Sequence, residues 1–313
     1  MYGVKKGAQW FINSVKARLT NDTGDYRDAV FLAGVGRSGT TWVEEVINYG
    51  NDFRILFEPF HSKRIALLEQ WNYRQYLRPD NQDPKFLQPA AAILSGNIRH
   101  PWVDRFNRNF RPKRRLIKDI RANLFLAWTK RQFPEIPIIL LLRHPCAVAL
   151  SKVKLGWDSS LDHFFAQQDL MDDHLHPFLD RISKTESDFE RFIVAWCIEN
   201  YVPLRQLEKS ETLVVLYEEL CEQPATQAER ILSYIGLEYS DEVVRRMGIP
   251  SALSRKDSPV VSGTDLITSW KKKVELVEVD RAMDIIRMFG LDAVYDADAR
   301  PRVSSSEVLE ILA

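Results

Sequence analysis

Residues 29–42 read AVFLAGVGRSGTTW, an apolar run that passes directly into a glycine-rich loop. The run at 29–35 predicts a buried strand, and residues 40–49 predict a helix behind it. Glycines let such a loop turn tightly, so that successive amides and the N-terminus of the next helix point at one anion. This stretch therefore predicts a strand, a phosphate-binding loop and a helix.

The loop has the glycine spacing of a P-loop but lacks its lysine. Gly34 and Gly39 have the spacing G-x-x-x-x-G, yet Thr40 stands where lysine should follow the second glycine. Arg37 supplies a cation from inside the loop. No predicted strand ends in the Walker-B manner, with an aspartate positioned to hold Mg²⁺. Several cations without a metal-binding acid suit transfer of a sulfuryl group, because it carries less charge than a phosphoryl group.

The rest of the chain alternates predicted strands and helices. This alternation predicts an α/β fold, P-loop-like and three-layered, with a central and mainly parallel sheet flanked by helices. Ligands on such sheets bind at the carboxyl ends of the strands, which directs attention to the segments that follow them. Further strands are expected at 54–58, 115–119, 137–143 and 213–218, and helices at 123–132, 145–155, 187–209, 225–236 and 275–289.

Composition excludes several other classes of protein. The 313 residues include 43 Lys and Arg against 43 Asp and Glu, so net charge gives no reason to expect a nucleic-acid partner. His163, His174 and His176, which accompany the polar acidic stretch at 169–180, have no recognised metal-ligand spacing, so we expect no metal site. No apolar stretch approaches the roughly 18 residues of a membrane span. The first residues also lack the apolar region of a signal peptide, so we expect a cytoplasmic protein.

Two segments resemble the donor-binding motifs of sulfotransferases that use 3′-phosphoadenosine 5′-phosphosulfate (PAPS). The sequence RSGTTW at 37–42 is similar to their 5′-phosphosulfate loop, and RHPCAVALS at 143–151 is similar to their 3′-phosphate segment. Weaker similarity occurs in KDIR at 118–121, LYEEL at 216–220 and the tryptophan–lysine pair at 270–271. The resemblance covers residues 29 to about 290 and implies a metal-independent enzyme that releases adenosine 3′,5′-bisphosphate (PAP).

The resemblance also implies which residues hold the donor. The amides of 38–41 are expected to bind the 5′-phosphate, and a fixed guanidinium fork with a nearby hydroxyl suits the 3′-phosphate. Two aromatic residues are expected beside the adenine, although ordinary core aromatics would have the same pattern. The implied donor-binding residues are Gly36, Arg37, Ser38, Gly39, Thr40, Thr41 and Trp42 in the loop, Arg143 and Ser151 for the 3′-phosphate, and Tyr217.

Three residues are candidates for catalysis. Arg37 occupies the position of the family's catalytic cation, and Lys118 is expected to reach the sulfuryl oxygens. The acceptor must lose a proton, and Glu58 is the preferred base because it ends the second predicted strand, which we expect next to the donor loop. Its segment LFEP at 56–59 is similar to one in Golgi-type carbohydrate sulfotransferases. The tyrosylprotein branch also has an arginine in the loop and a glutamate near this position.

Other bases are weaker candidates. His61, Asp119 and His144 lie near strand ends, where they too could accept a proton. The small-molecule branch of the family uses a histidine in the third-strand motif. This chain has Asp119 and Arg121 in that motif, which disfavours a phenol or steroid acceptor.

Residues 61–115 form a long insert between the second and third predicted strands. The insert has 12 Lys and Arg against 4 Asp and Glu, in a chain that is neutral overall, and it is rich in aromatic residues. Inserts of this kind usually carry binding residues. Ion pairing and stacking on sugar rings favour a saccharide or glycolipid acceptor, and a solvated helical lid is the alternative.

We divide the chain into an N-terminal extension (1–28), a sulfotransferase domain (29–298) and a polar, peripheral C-terminal tail (299–313). Val4, Phe11, Val15 and Leu19 give the extension the pattern of an amphipathic helix. The preferred interpretation is a helix packed on the domain, and the alternative is peripheral contact with a membrane through residues 1–20.

Three alternative functions remain open from the sequence. A P-loop kinase or NTPase would use ATP and Mg²⁺. The missing loop lysine and the missing Mg²⁺-binding aspartate argue against this alternative. A non-catalytic relative would bind nucleotide without modifying any acceptor. Within the family, a tyrosine or small-molecule sulfotransferase would differ only in its acceptor.

Overall fold

The computed structural model describes residues 2–247 and 265–312, and a five-stranded sheet forms its centre. All neighbouring strands are parallel, in the order β2-β3-β1-β4-β5. The predicted α/β fold with a central parallel sheet is therefore confirmed. The strands are β1 (Ala29–Gly34), β2 (Phe53–Phe57), β3 (Arg114–Asp119), β4 (Ile138–Leu142) and β5 (Thr212–Leu216).

Helices cover both faces of the sheet. Successive strand residues point to opposite faces, so Phe31 joins the core on one face of the sheet while Leu32 joins the core on the other. The helices are α1 (Tyr2–Leu19), α2 (Thr40–Ile47), α3 (Pro84–Leu94), α4 (Leu126–Gln132), α5 (Pro145–Lys154), α6 (Asp162–Phe165), α7 (Gln168–Leu170), α8 (Leu179–Ile182), α9 (Asp188–Gln206), α10 (Tyr217–Glu222), α11 (Pro224–Tyr234), α12 (Asp241–Met247), α13 (Leu276–Met288) and α14 (Val308–Leu312).

The fifth strand is shorter than predicted, because the chain turns into α10 at Tyr217. Glu218 is fully buried at this turn, and its two carboxylate oxygens accept hydrogen bonds from the His144 amide (2.9 Å) and the Tyr295 hydroxyl (2.8 Å). A continued strand would point this side chain elsewhere. The strand therefore ends at Leu216, and the turn that follows brings the Glu218 carboxylate to its two hydrogen-bond donors.

The sheet order changes one expectation about the site. We expected β2 to lie beside β1, which carries the donor loop, but β3 lies between them. Lys118, near the end of β3, therefore lies between the donor loop and Glu58.

The N-terminal helix α1 does not pack its predicted apolar stripe on the domain. Phe11 and Leu19 are 69% and 65% exposed, and Val15 is exposed as well, whereas Asn13 and Ala17 are buried. Small side chains face the domain because they allow a closer approach than the large apolar ones. The side chains of 2–6, 8 and 9 lie outside the described residues, and no described helix has both the length and the apolar character needed to cross a membrane.

The polar C-terminal segment, which we expected to be peripheral, lies against the domain. Val308 is fully buried in α14, Leu309 and Leu312 are buried there as well, and the Arg205 side chain of α9 donates to the Leu312 carbonyl (2.9 Å). Spaced at i, i+1 and i+4, these apolar residues lie on one face of a short helix.

Candidate active site

The loop between β1 and α2 has the backbone of a tight anion-binding turn. Arg37 and Gly39 both have positive φ angles, of 79° and 104°. A Cβ on residue 39 would lie 2.7 Å from the Tyr217 ring, so glycine is needed for space as well as for conformation. The Ser38 hydroxyl is buried and has no hydrogen-bond partner among the described residues. The loop therefore holds an unused polar group where the anion is expected.

The predicted 3′-phosphate residues converge on this loop. The Arg37 Nε donates to the Ser151 Oγ (3.0 Å), and the Arg143 Nη1 donates to the Arg37 carbonyl (3.2 Å). The Arg143 guanidinium lies 4.0 Å from the centre of the Tyr217 ring, which in turn lies 5.7 Å from the Trp42 ring. Residues far apart in sequence thus form one cluster, as the motif resemblance implies.

Arg143 is positioned by the residues around it. Its carbonyl accepts from the Trp196 indole (3.0 Å), while its own Nε is buried with no partner among the described residues. The adjacent His144 is fully buried and stacks on Trp270 at 4.4 Å, and burial lowers its pKa to about 4. The His144 Nδ1 also accepts from the Cys146 amide (3.2 Å). His144 therefore supports the turn and is not placed to act as a base.

The predicted base and cation meet at the ends of β2 and β3. Glu58 is buried, has a φ of 46°, and its amide donates to the Lys118 carbonyl (2.7 Å). Its carboxylate pairs with the Arg121 Nη1 at 2.7 Å and lies 3.7 Å from the Lys118 Nζ. A carboxylate held between two cations is positioned and still keeps acceptor capacity.

The weaker candidate bases, Asp119 and His61, are held in environments that give them structural contacts. Asp119 is fully buried and accepts from the Phe60 and Arg121 amides, both at 2.8 Å, so it holds the turns after β2 and β3 together. Burial raises its pKa to about 6. His61 lies close to Tyr73 and Trp102, and burial followed by the charge of Arg121 lowers its pKa to about 3. His61 is thus a neutral neighbour of the Glu58 site.

Three residues of this site were not predicted. Arg121 appeared only as part of a motif, and the Tyr73 hydroxyl that accepts from its Nε (2.9 Å) comes from the insert. Glu44 is buried on α2, where its charge interacts with Lys118, and desolvation raises its pKa to about 7. The spacing of Glu44 from Thr40 and Ile47, both buried, was a usable signal for an inward-facing carboxyl group.

The two halves of the site meet at Gly36. A Cβ there would lie 2.8 Å from the Trp157 ring and 3.1 Å from the Ile120 side chain. These short distances show that both side chains lie against the donor loop. Ile120 follows β3, and Trp157 follows α5. The loop, the Glu58 site and the Arg143 cluster therefore form one continuous region at the carboxyl edge of the sheet, where ligands of parallel sheets bind.

The remaining polar candidates lie elsewhere. His163 contacts the Arg74 guanidinium (3.1 Å) and His174 contacts the Tyr76 hydroxyl (3.1 Å). Across residues 2–247 and 265–312, no group of three or more His, Cys, Asp or Glu side chains is arranged to hold a metal ion. The three cysteines are free thiols, two of them buried.

Comparison with solved structures gives similarities at low sequence identity. The sulfotransferase domain of the Synechococcus PCC 7002 olefin synthase is 15% identical, with 88% of this chain and 96% of that chain covered and a TM-score of 0.47. The sulfotransferase domain of the curacin biosynthetic pathway is 14% identical, with coverage of 83% and 96% and a TM-score of 0.46. Mouse sulfotransferase SULT7A1 complexed with PAP is 14% identical, with coverage of 86% and 85% and a TM-score of 0.44.

Comparison with curated protein sequences gives no match. Comparison with family models gives a match to the sulfotransferase family over residues 29–241. That range is more than half of the chain, and it begins at β1 and includes the donor loop, the Glu58 site and the Arg143 cluster. It agrees with the resemblance of the two donor motifs, and the chain therefore belongs to the sulfotransferase family.

Proposed function

We propose that this sulfotransferase moves a sulfuryl group from PAPS to a hydroxyl or amine of a saccharide or glycolipid. The observation that carries the proposal is the convergence of Arg37, Ser151 and Arg143 on one loop. The buried Glu58 carboxylate lies at the same edge of the sheet, after β2. Charge-bearing residues from four loops meet here without a metal-ligand cluster among the described residues. This arrangement suits a donor whose transferred group has a single negative charge.

The unused polar atoms of the site support binding of the donor. The Ser38 Oγ and the Arg143 Nε are both buried without partners among the described residues, and buried polar groups are seldom left so. Phosphate oxygens would satisfy both. Ser38 and the loop amides are proposed for the 5′-phosphate, Arg143 and Ser151 for the 3′-phosphate, and Tyr217 for the adenine.

The mechanism we propose is a direct in-line transfer. The Glu58 carboxylate takes the proton of the acceptor hydroxyl, and the acceptor oxygen forms a bond to sulfur. The bond between sulfur and the bridging phosphate oxygen breaks, and its electrons leave with PAP. Arg37 and Lys118 stabilise the charge on the sulfuryl group and the bridging oxygen. Arg121 positions Glu58 through its contact at 2.7 Å.

The acceptor proposal rests on the insert. Tyr73 of the insert reaches Arg121, and Trp102 packs against Phe57 at the end of β2 (5.4 Å), so insert aromatics lie next to the proposed base. Aromatic side chains stack on sugar rings as well as on other flat ligands. The similarity of LFEP at 56–59 to Golgi-type carbohydrate sulfotransferases supports the same choice, and a tyrosine acceptor is the alternative within the family.

Calorimetry with PAP tests the donor site. We expect PAP to bind in EDTA, AMP to bind much more weakly, and the Arg143→Ala substitution to abolish the preference for the 3′-phosphate. A purified chain that binds ATP with Mg²⁺ best, and gains nothing from a 3′-phosphate, would favour the kinase alternative. Binding of PAP without transfer to any acceptor would favour the non-catalytic relative.

Helix α1 supports a second proposal, peripheral contact with an anionic membrane from a cytoplasmic location. Trp10, Phe11 and Leu19 are exposed, and residues 1–20 contain four Lys or Arg and no acidic residue. We expect the chain to float with vesicles that contain anionic lipid and not with zwitterionic ones. A Phe11→Asp substitution should abolish flotation, and flotation that is unchanged by this substitution would contradict the proposal.

A further inference from the structure

Three cations of the insert surround two aromatic rings beside Glu58. The guanidinium groups of Arg64 and Arg105 lie 4.2 and 4.3 Å from the centre of the Trp102 ring. The Lys63 Nζ lies 4.6 Å from the centre of the Tyr73 ring. We refer to these five residues as the insert cluster.

The cations of the insert cluster have no carboxylate partner among the described residues. Several other insert cations do: Arg74 pairs with Glu199 and Arg78 with Asp173. Glu58, whose charge acts on Arg105, is already shared by Lys118 and Arg121. The positive charge of the insert is thus balanced in some places and unbalanced next to the proposed base.

Buried nitrogen atoms without partners gather at the same place. The Arg105 Nε, the Trp102 Nε1 and the His61 Nδ1 are all buried and lack hydrogen-bond partners among the described residues. His61 lies 5.7 Å from the Tyr73 ring and 6.0 Å from the Trp102 ring, so it joins the two parts of the cluster. Because few buried polar groups are unsatisfied in folded proteins, three in one place call for a ligand or bound water.

The titration of neighbouring groups agrees with an unbalanced positive charge. Burial lowers the pKa of His61 first, and the charges of Arg121, Arg64 and Lys63 lower it further, to about 3. Burial also lowers the pKa of Arg105; Glu58 and Glu44 oppose this shift, and Arg64 adds to it. His61 is therefore neutral and adds no charge, and the carboxyl groups that face Arg105 are those of the catalytic region.

The cluster is in contact with the catalytic residues. The Arg105 guanidinium and the Lys118 Nζ lie 4.0 and 4.1 Å from the centre of the same ring, that of Phe57. The Tyr73 hydroxyl accepts from Arg121, which holds Glu58. An acceptor with its reactive hydroxyl at Glu58 would thus extend across Trp102 and the three cations.

We propose that Lys63, Arg64 and Arg105, with Trp102 and Tyr73, form an anion-binding acceptor subsite that selects an acidic saccharide. The two aromatic rings hold the cationic groups in place, and a carboxylate or sulfate ester on the sugar pairs with those groups. This inference rests on the proposed function, since it describes the acceptor side of that site.

The test compares three tetrasaccharides of β-1,4-linked glucose units by calorimetry, with the chain saturated with PAP. The first is cellotetraose, the second has carboxylates at C6 (a glucuronate tetramer), and the third has sulfate esters there. Hydrogen bonds to charged groups are stronger than those between neutral groups, so we expect a charged tetramer to bind about tenfold or more tightly than cellotetraose. The better of the two charged probes identifies the anion. Equal binding of all three would overturn the proposal.

Variants separate the subsite from general charge attraction. We expect Arg64→Gln and Arg105→Gln each to remove most of the preference for the charged probe. Arg108→Gln is the matched control, because Arg108 belongs to the same insert and is exposed, and the neighbouring Asn109 side chain donates to the carbonyls of Asn51 and Asp52, directly before β2. Equal losses in all three variants would contradict a specific subsite. Arg105→Lys, which keeps the charge, should retain part of the preference if Arg105→Gln folds poorly.

The titrations distinguish failure of the acceptor subsite from failure of the proposed donor site. If PAP does not bind, the donor site is wrong, and the same titrations of the chain alone still decide whether the insert cluster selects an anion. If PAP binds and the three probes bind equally, the donor proposal stands and the subsite does not exist.

Discussion

Buried cations lie at both ends of strands β2 and β3, but the two ends differ in how many carboxylate partners those cations have. At the amino ends, Arg54 lies beside Arg115 in the strand register, and Asp22 and Asp104 neutralise both. All four side chains are at most 2% exposed. Each arginine there has a carboxylate partner and backbone carbonyls as well.

At the carboxyl ends, cations outnumber ionised carboxylates. Phe57 lies beside Lys118 in the register, and Lys118 and Arg121 share the single carboxylate of Glu58. Arg105 has no carboxylate partner among the described residues, and Glu44 has a pKa of about 7. The same two strands thus bury a cluster in which each arginine has a carboxylate partner, and a second cluster where we propose that an anion binds. In this chain, therefore, burial of charge alone does not distinguish the proposed site from the other cluster, whereas the missing partners do.

Removal of Arg54 should have the largest effect, and on stability. Arg54→Ala leaves Asp22 and Asp104 short of a partner in a buried place, and breaking a buried pair in this way destabilises a protein by about 3–5 kcal/mol. Urea unfolding followed by circular dichroism measures the change, with Arg108→Ala as the exposed control. A loss below that range would mean that the amino-end cluster does not hold the fold.

Glu44→Gln should change how stability depends on pH. The folded-state pKa of Glu44 is raised from its usual 4.5 to about 7, so the folded chain keeps a proton that the unfolded chain has lost. The wild type therefore loses stability as pH rises from 4.5 to 7, by about 3 kcal/mol at 1.36 kcal/mol per pKa unit.

The variant should be more stable than the wild type at pH 8 and similar to it at pH 4.5. Urea unfolding at the two pH values gives the comparison. Parallel stability curves would show that the Glu44 carboxyl group is not desolvated in the folded chain.

Glu58→Gln should affect catalysis more than folding, which is the reverse of Arg54→Ala. Loss of a general base lowers kcat by about a hundredfold or more, equivalent to about 2.7 kcal/mol or more. We expect PAP affinity to remain within about twofold, because Glu58 belongs to the acceptor half of the site. PAP release in the presence of the glucuronate tetramer measures turnover, and an unchanged kcat would assign the base elsewhere.

Tyr73→Phe should have the smallest effect. It removes the hydroxyl that accepts from Arg121 Nε (2.9 Å), a hydrogen bond to a charged group, for which the lower bound is about 1.5 kcal/mol. At about 1.4 kcal/mol per factor of ten, we expect kcat to fall about tenfold with PAP affinity unchanged. A change in PAP affinity instead would mean that Tyr73 supports the donor half of the site.

Much of the fold and of the donor half was predictable. The strands at 29–35 and 137–143 are continuous apolar runs, and the segments 37–42 and 143–151 directly follow them. The structure brings Arg37, Arg143 and Ser151 together because parallel strands end at a common edge. The apolar stripe of α1 misled us, since Phe11 and Leu19 are exposed in the structure.

The acceptor half was much less predictable. Tyr73 and Trp102 lie in a long insert whose path over the end of β2 has no local signal in the sequence. The spacing of Glu44 from Thr40 and Ile47 indicates an inward-facing side chain, but its raised pKa depends on the packing of α2 beside β3.

Local patterns of apolar residues, glycines and motif spacing are enough to predict the five strands, the glycine-rich loop after β1 and the family. Which buried charges have a partner depends instead on how distant segments pack together in the folded chain. Arg54 and Arg105 look alike in the sequence, and both are cations near aromatic and apolar residues. One meets Asp22 and Asp104 while the other meets no carboxylate partner among the described residues, because charge compensation depends on distances between segments that fold together from far apart in the chain.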